Sequence, residues 1–302
     1  MDQNEDIEYR SYLLNDKDVA ANAEAGRVTG STVETVDFSD VDVVQFTEKR
    51  SEQDGMDAGD VFLGARRVNM TGTLYGKTRA LLYDEYRAWS AALSPVLAQR
   101  ESPADKGFRP LYFKMPTADT VNYPDLLIPL QVFALPRAKK VTWARKQQGG
   151  KDTDALAIPW AATLLQKDPG IYGRDAQNYA LTAGGQIFGN LVNRGTYIAR
   201  PNIIVTVGAT AGAILLQIGG SAMTINVPAS SGNRIIRYNG QEKVLTVEEN
   251  NAENPRFDML DLGSSEAHPV IPPGTSAYEV AFSTGVTPQV GSRLWFYEAV
   301  AG

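Results

Sequence analysis

Hydrophobic and polar positions alternate with a period of two along most of this chain, and that period predicts a β-protein. Between residues 26 and 50, Val33, Thr35, Val41, Val43 and Phe46 alternate with polar neighbours, as strands with one buried face do. The polar stretch Arg50-Ser51-Glu52-Gln53-Asp54-Gly55, between Lys49 and Asp60, predicts an exposed loop, and a strand follows from Arg66 to about Leu74. One segment breaks the period. Thr78 can cap a helix, and Leu82, Tyr86, Trp89 and Leu93 recur at helical spacing, so a single helix is expected over about 78–94, ended by Ser94-Pro95.

Further strands are expected at Leu111 to Met115, Leu127 to Leu135 and Ala155 to Gln166. The last two carry Pro129 and Pro159; proline cannot donate to a ladder, which predicts sheet edges or strands that start after the ring. Between them, Gln147-Gln148-Gly149-Gly150-Lys151-Asp152 reads as a hairpin tip. Asp168-Pro169-Gly170 and Ala183-Gly184-Gly185 then punctuate a polar stretch. In a chain of 302 residues, too long for one core, this predicts two domains, 1–175 and 176–302.

Beyond Gln186 short strands alternate with turns and no helical period is evident, which predicts an antiparallel β-sandwich or jelly roll. Within it, Ile203-Ile204-Val205-Thr206-Val207 and Ala213-Ile214-Leu215-Leu216-Gln217-Ile218 read as a hairpin around a Gly-bracketed turn. Asn239-Gly240 marks a tight turn between Ile235-Ile236-Arg237-Tyr238 and Val244-Leu245-Thr246-Val247, and Arg293-Leu294-Trp295-Phe296-Tyr297 is the closing strand. The longest apolar run, Ile203 to Ile218, is broken by Gly208 and Gly212 and falls short of the roughly 18 to 20 residues of a membrane span, so none is expected. The start, Met1-Asp2-Gln3-Asn4-Glu5-Asp6, shows neither the basic nor the apolar region of a signal peptide.

Composition narrows the chemistry. The chain has no cysteine and one histidine, His268, which excludes disulfides, thiolate nucleophiles, thiolate zinc sites, iron–sulfur clusters and multi-histidine metal sites. The net charge of −6 hides an asymmetry. Residues 1–60 hold 16 acidic and 5 basic side chains, whereas residues 61–170 hold 16 basic and 9 acidic. Either these blocks neutralise each other within one domain or they meet across copies in a head-to-tail contact. Lys139-Lys140 and Arg145-Lys146 form a local basic patch only, which argues against nucleic-acid binding as the main task.

Apparent motifs weaken on inspection. Thr71-Gly72-Thr73-Leu74-Tyr75-Gly76-Lys77-Thr78 approximates a phosphate loop but has Thr71 where the first glycine is needed; Gly76 is better read as supplying an unusual backbone angle before the helix. Asp37, Asp40, Asp42 and Asp54, Asp57, Asp60 lack the alternating order of a calcium loop and read as solvated carboxylates. His268 sits in the proline-rich Ala267-His268-Pro269-Val270-Ile271-Pro272-Pro273-Gly274, where packing or a turn outweighs catalysis. Trp295 and Tyr297, or the aromatics of residues 186–200, are candidates for stacking on a sugar, against the plainer reading as core. No catalytic, cofactor or metal residue is assigned, and no enzymatic activity is expected.

Two segments, Arg66-Arg67-Val68-Asn69-Met70-Thr71-Gly72-Thr73-Leu74-Tyr75-Gly76 with its following helix, and Leu164-Leu165-Gln166-Lys167-Asp168-Pro169-Gly170-Ile171-Tyr172-Gly173, together resemble the distal tail protein (Dit) family of long, non-contractile-tailed bacteriophages and related tail-like particles. The resemblance covers about residues 10–173 in outline and the rest by architecture. It implies a first domain like the tail-tube fold, a β-sandwich or split barrel with one helix, and a second that is a galectin-like or carbohydrate-module-like sandwich. It further implies a homo-oligomer, a hexameric ring at the tail tip of the virion, assembled in the host cytoplasm. That ring would join the tail tube to the hub and receptor-binding apparatus, beside the tape-measure protein, with DNA passing through its lumen unbound. The alternatives are a carbohydrate-binding protein that uses its C-terminal sandwich for adhesion, or another tail-tube-like minor tail protein.

Overall fold

The computed structural model describes residues 6–16, 18–19, 29–39, 43–49, 56–63, 66–103, 106–117, 119–142, 156–166, 170–181, 185–250, 252–262 and 268–300, with 43–49 and 56–63 as backbone. The chain divides into two compact units, essentially Met1–Ile171 and Tyr172–Ala301. A cut after residue 175 would pass through the strand Ile171–Ala180.

In the first unit β1 (Ile7–Tyr9), β2 (Tyr12–Asn15), β3 (Gly30–Phe38), β6 (Arg66–Gly76), β7 (Arg109–Pro116), β8 (Leu127–Val141) and β9 (Leu156–Gln166) form an antiparallel sheet in the order β2-β1-β7-β8-β9-β6-β3. Its two ends meet. Val33 N–H donates to Asn15 Oδ1 at 2.8 Å and Asp16 N–H to Ser31 O at 3.1 Å, so the sheet curls into a barrel. The alternation of β6 shows why: Val68, Met70 and Leu74 are buried inside, while Arg67 and Thr71 are exposed. Tyr9, Leu14, Leu111, Phe113, Leu130, Val132, Ile158 and Leu164 complete the core. β4 (Val43–Lys49) and β5 (Met56–Leu63) form a separate antiparallel ribbon that pairs with no other described strand. The second half of the segment expected to be a loop is therefore strand, while residues 50–55 lie outside the described residues.

Helix α1 (Arg79–Ala92) begins where the capping residue predicts, with Thr78 Oγ1 accepting from Leu81 N–H at 3.2 Å. Leu82, Trp89 and Leu93 are buried, and the Trp89 ring lies 5.6 Å from that of Trp160 on β9. Seating the helix this closely requires two glycines. A Cβ on Gly76 would lie 2.5 Å from the Leu82 backbone, and one on Gly72 would lie 1.9 Å from Thr32 O and 2.7 Å from the Trp160 ring. Gly76 is thus needed for space; its φ is not in the left-handed region, contrary to the expectation of an unusual angle. Because β6 runs unbroken through Gly76, Thr71 to Gly76 is strand and not a phosphate loop.

The expectation of one helix is incomplete. Ser94-Pro95 does end α1, but it also starts α2 (Pro95–Glu101): Ser94 Oγ accepts from Leu97 N–H at 3.4 Å, and proline at the first position loses only a donor that has no helical partner. The prolines need a correction too. β8 and β9 are interior strands, contrary to the expectation of sheet edges; Pro129 pairs with Lys114 of β7 and lies outside the β9 pairing, which begins at Ala134. Pro159 pairs with Thr73 of β6 one residue before β8 joins at Trp160, and Pro136 adjoins a bulge. At Pro159 the missing N–H falls where the second neighbour has yet to begin, so a proline is tolerated in an interior strand.

The second unit is an antiparallel sandwich. One sheet holds β10 (Ile171–Ala180), β12 (Asn202–Val207), β15 (Arg234–Asn239), β16 (Val244–Glu249), β17 (Ala252–Pro255) and β20 (Arg293–Val300), in the order β17-β16-β15-β12-β20-β10. The other holds β11 (Gln186–Asn193), β13 (Gly212–Ile218), β14 (Ser221–Val227), β18 (Leu260–Asp261) and β19 (Gly274–Phe282), in the order β11-β19-β13-β14-β18. Consequently β12 and β13 are not a hairpin. Residues 208–211 carry the chain from one sheet to the other, and both strands bury an alternate face in the shared core. Asn239-Gly240 does open the β15–β16 turn, as a four-residue loop in which Asn239 Oδ1 accepts from Gln241 N–H at 3.0 Å and Glu242 N–H at 3.2 Å. Tyr179, stacked on Phe296 at 6.2 Å and edge-on to Tyr278 at 5.7 Å, ties the layers together. Fully buried Asn193 does the same with hydrogen bonds, donating to Tyr197 O and Ile271 O and accepting from Gly195 and Ala299 N–H.

One side chain fixes the corner of the first unit. Arg10 and Ser11 form the two-residue turn between β1 and β2 with φ of 50° and 61°, left-handed angles that favour Asn-Gly and cost other residues energy. The turn places the Arg10 guanidinium at the end of α1, where Nη1 donates to Ala91 O and Ala92 O, each at 2.8 Å. Nε donates to Glu101 Oε2 at 3.0 Å and Nη2 to Glu101 Oε1. Cationic donors thus satisfy carbonyls at the negative end of the helix dipole and hold α2 beside it. The hydrogen bond from Arg10 holds the Glu101 carboxyl below its usual range, helped by the charges of Arg10 and Arg109 and opposed by burial. Arg10→Ala should destabilise the protein by about 2–3 kcal/mol in a denaturant titration, with partial rescue by lysine. The Glu101 contribution should be full above the ordinary carboxylate range and fade as pH falls through it, so the acid limb of the Glu101→Gln melt should be flatter than wild type.

Candidate functional site

The chemistry-bearing side chains are dispersed. His268 stacks in parallel on Tyr238, ring centroids 5.9 Å apart, with Nδ1 2.8 Å from the Tyr238 hydroxyl. Burial pushes the tyrosine up to about 12, opposed by Arg200. Burial, then the charges of Lys243 and Arg200, push the histidine down. A neutral imidazole accepting from a protonated phenol satisfies both groups, which is a packing arrangement.

Trp295 and Tyr297 lie on one face of the interior strand β20, half-buried, alternating with buried Leu294 and Phe296. The Arg293 guanidinium lies 5.3 Å from the Trp295 ring centroid. Within residues 186–200 the open aromatics are Phe188, 64% exposed, and Tyr197, 44% exposed. Phe188 stands on the edge strand β11 opposite Glu279, whose Oε1 accepts from Gln186 Nε2 at 3.0 Å. Its signal in the sequence was its phase: it occupies an outward position between Ile187 and Gly189 in a strand whose inward positions end at Leu191 and Asn193.

In the first unit the expected basic pair splits. Lys139 Nζ donates to Ser90 O and, at 2.7 Å, to Ser90 Oγ, lies 5.9 Å from the Trp89 ring centroid, and is pushed down by burial. Lys140 is exposed. Arg145 and Lys146 lie outside the described residues. A groove of about 500 Å³ on the barrel wall is lined by Arg67, Arg137, Ala138, Thr163, Leu164 and Leu165. Sequence reasoning missed it because β6, β8 and β9 bring its residues together from separate parts of the chain. Of the acidic runs, Asp37 is exposed on β3, Asp57 and Asp60 belong to β5, and Asp40, Asp42 and Asp54 lie outside the described residues. Among the described residues no three His, Asp or Glu side chains converge as a metal site would require, and no helix is long and apolar enough to cross a membrane.

No family model matches the sequence, and no curated protein matches it. Structure is more informative. The Dit protein of SPP1, described as a paradigm of hub adsorption apparatus in Gram-positive-infecting phages, superposes with a TM-score of 0.52 over 98% of each chain at 12% identity. This chain has a Dit-like fold. Chains of the phage p2 baseplate in its activated conformation, with strontium or with calcium, align over 87% of this chain and 90% of theirs, with a TM-score of 0.39 and 8% identity.

Stacked on and hydrogen-bonded to Tyr238, His268 gives a test of packing. Its downward shift means that its contribution to stability is full above the ordinary histidine range and is lost as pH falls below it. Wild-type protein should therefore lose thermal stability between pH 7.5 and 5.5, and His268→Gln should flatten that slope in melts across the range.

Proposed function

We propose that this chain is a structural protein of a phage virion: a distal tail component that forms a ring joining the tail tube to the hub and the host-recognition apparatus. The observation that carries this reading is the likeness to the SPP1 protein over 98% of both chains, barrel and sandwich in the same order. The β4–β5 ribbon supports it. Two strands alone are marginal in water, and a ribbon that pairs with nothing else described in its own chain suits a protein completed by neighbours. In this reading the ring is a hexamer at the tail tip, assembled in the bacterial cytoplasm. Its partners are tube, hub and tape-measure proteins and a receptor-binding protein, DNA passes through the lumen without specific binding, and the chain performs no catalysis.

A second reading has its own observation, the open Phe188 ring beside Gln186 and Glu279 on the outer face of the sandwich. An aromatic face flanked by an amide and a carboxylate is what a pyranose ring binds, and adhesion through this unit is compatible with either role. Binding on a glycan array that is lost in Phe188→Ala would establish it.

The ring is tested by light scattering on a size-exclusion column and by negative-stain images. Ring-shaped particles of six copies are expected, alone or with the tube and hub proteins. A monomer that persists at high concentration in the presence of both would overturn the proposal.

A further inference from the structure

We infer that the Arg67–Arg137 groove of the barrel receives the acidic β4–β5 ribbon of a second copy of this chain. The inference rests on the ring reading and names one contact within it. The groove is the first half of the argument. Arg67 and Arg137 are both exposed and line it together with Thr163, and Lys140 is exposed three residues after Arg137 on the same strand. Among the described residues neither guanidinium meets a carboxylate. The arginines that stabilise this unit are engaged elsewhere, Arg10 and Arg109 on Glu101, and Lys139 is spent on Ser90.

The ribbon is the second half. Between residues 37 and 60 the chain carries eight acidic and two basic residues. Its register sets Glu48 opposite Asp57, so two acidic residues share one cross-strand position, a pairing that like charges disfavour in isolation. No third strand or described neighbour shares its ladder.

Geometry argues for a second copy over the chain's own groove. The ribbon is inserted between β3 and β6, whose last link is the pair Ser39 N–H to Arg67 O and Arg67 N–H to Ser39 Oγ, both 2.9 Å. Only Gly64 and Ala65 separate β5 from β6, which ties the ribbon's base beside its own Arg67. The Glu48–Asp57 pair lies at the other end, six residues from Leu63, or roughly 20 Å at about 3.3 Å per residue. A straight ribbon therefore carries register positions 48 and 57 away from its own Arg67, within reach of a neighbouring barrel. A head-to-tail contact of this kind, repeated by rotation, closes a ring.

The absence of cysteine gives a clean test. Asp57→Cys and Arg137→Cys, made in two differently tagged full-length chains and mixed under mild oxidation, should form a disulfide between the two tags, whereas a Gln217→Cys control should not trap Asp57→Cys. In parallel, Arg67→Glu with Arg137→Glu should weaken self-assembly by about tenfold or more without changing the melting curve, and adding Glu48→Lys with Asp57→Lys to the same chain should restore it. Assembly unaffected by the arginine reversals, with no cross-link between tags, would overturn this contact while leaving the ring intact. A disulfide found only within a single chain carrying both cysteines at high dilution would also overturn it, because the ribbon would then cover its own groove. A wild-type chain that never assembles would overturn both the contact and the ring.

Discussion

The first unit depends on a cation that is almost completely used. Arg10 presents five donors, and four hydrogen bonds join one side chain to the last carbonyls of α1 and to both oxygens of Glu101 on α2. The turn that delivers it takes two left-handed residues without glycine, a local cost that these bonds offset. From this corner the other contacts follow. With α1 held at its C-terminus, Trp89 meets Trp160, and the Trp160 ring together with Thr32 O leaves no room for a side chain at Gly72. The hairpin that carries Arg10 also contains Asn15, whose amide oxygen closes the barrel on Val33. Helix seat and sheet closure thus share one anchor, which couples them in stability.

Closure also determines which edges remain. The barrel seam between β2 and β3 is held by Asp16 N–H to Ser31 O and Val33 N–H to Asn15 Oδ1, and assembly through this unit can draw on side-chain surfaces or on the β4–β5 ribbon, which lies outside the barrel. The sandwich, by contrast, keeps edge strands. One is the strand β17, whose residues are all exposed and include Pro255 and Glu253, which faces Arg237 at 3.9 Å and accepts from Thr246 Oγ1, features that discourage further pairing. Another is β11, where Phe188 and Val192 lie open. The two units differ in the kind of surface they present: charged and grooved on the barrel, partly apolar on the sandwich.

What the sequence made legible was whatever a local period encodes. The alternation of Val68, Met70 and Leu74, the helix face of Leu82, Trp89 and Leu93 and its Thr78 cap, and the Asn239 turn all follow from neighbouring residues, and all appear in the structure. What escaped was set by partners far along the chain. Pro129 and Pro159 suggested sheet edges, yet both lie in interior strands, because no local signal says which other strands will pair with theirs. The link 208–211 has the composition of a hairpin turn, and only the competition of β15 and β20 for β12 shows that it crosses between sheets. Ser94-Pro95 satisfies the rule for ending a helix and the rule for starting one. The arginine groove was invisible for the same reason, since Arg67, Arg137 and Thr163 share nothing before the strands align.

The charge asymmetry changes meaning once structural users are removed. In the acidic block, Arg10 is a cation committed to the fold, and the segment 37–60 carries eight acidic residues against two basic ones in its own sequence. In the basic block, Lys139 packs on Trp89 and bonds Ser90, and Arg109 lies 3.8 Å from Glu101. What survives is smaller than the raw difference between the blocks and more concentrated: two guanidiniums and a lysine on one barrel wall, and a ribbon with carboxylates opposed across its ladder. Surface ion pairs contribute little to the stability of a single fold. A segregation of this kind is better suited to orienting one copy against the next, where opposite potentials steer the encounter and like potentials reject the wrong face.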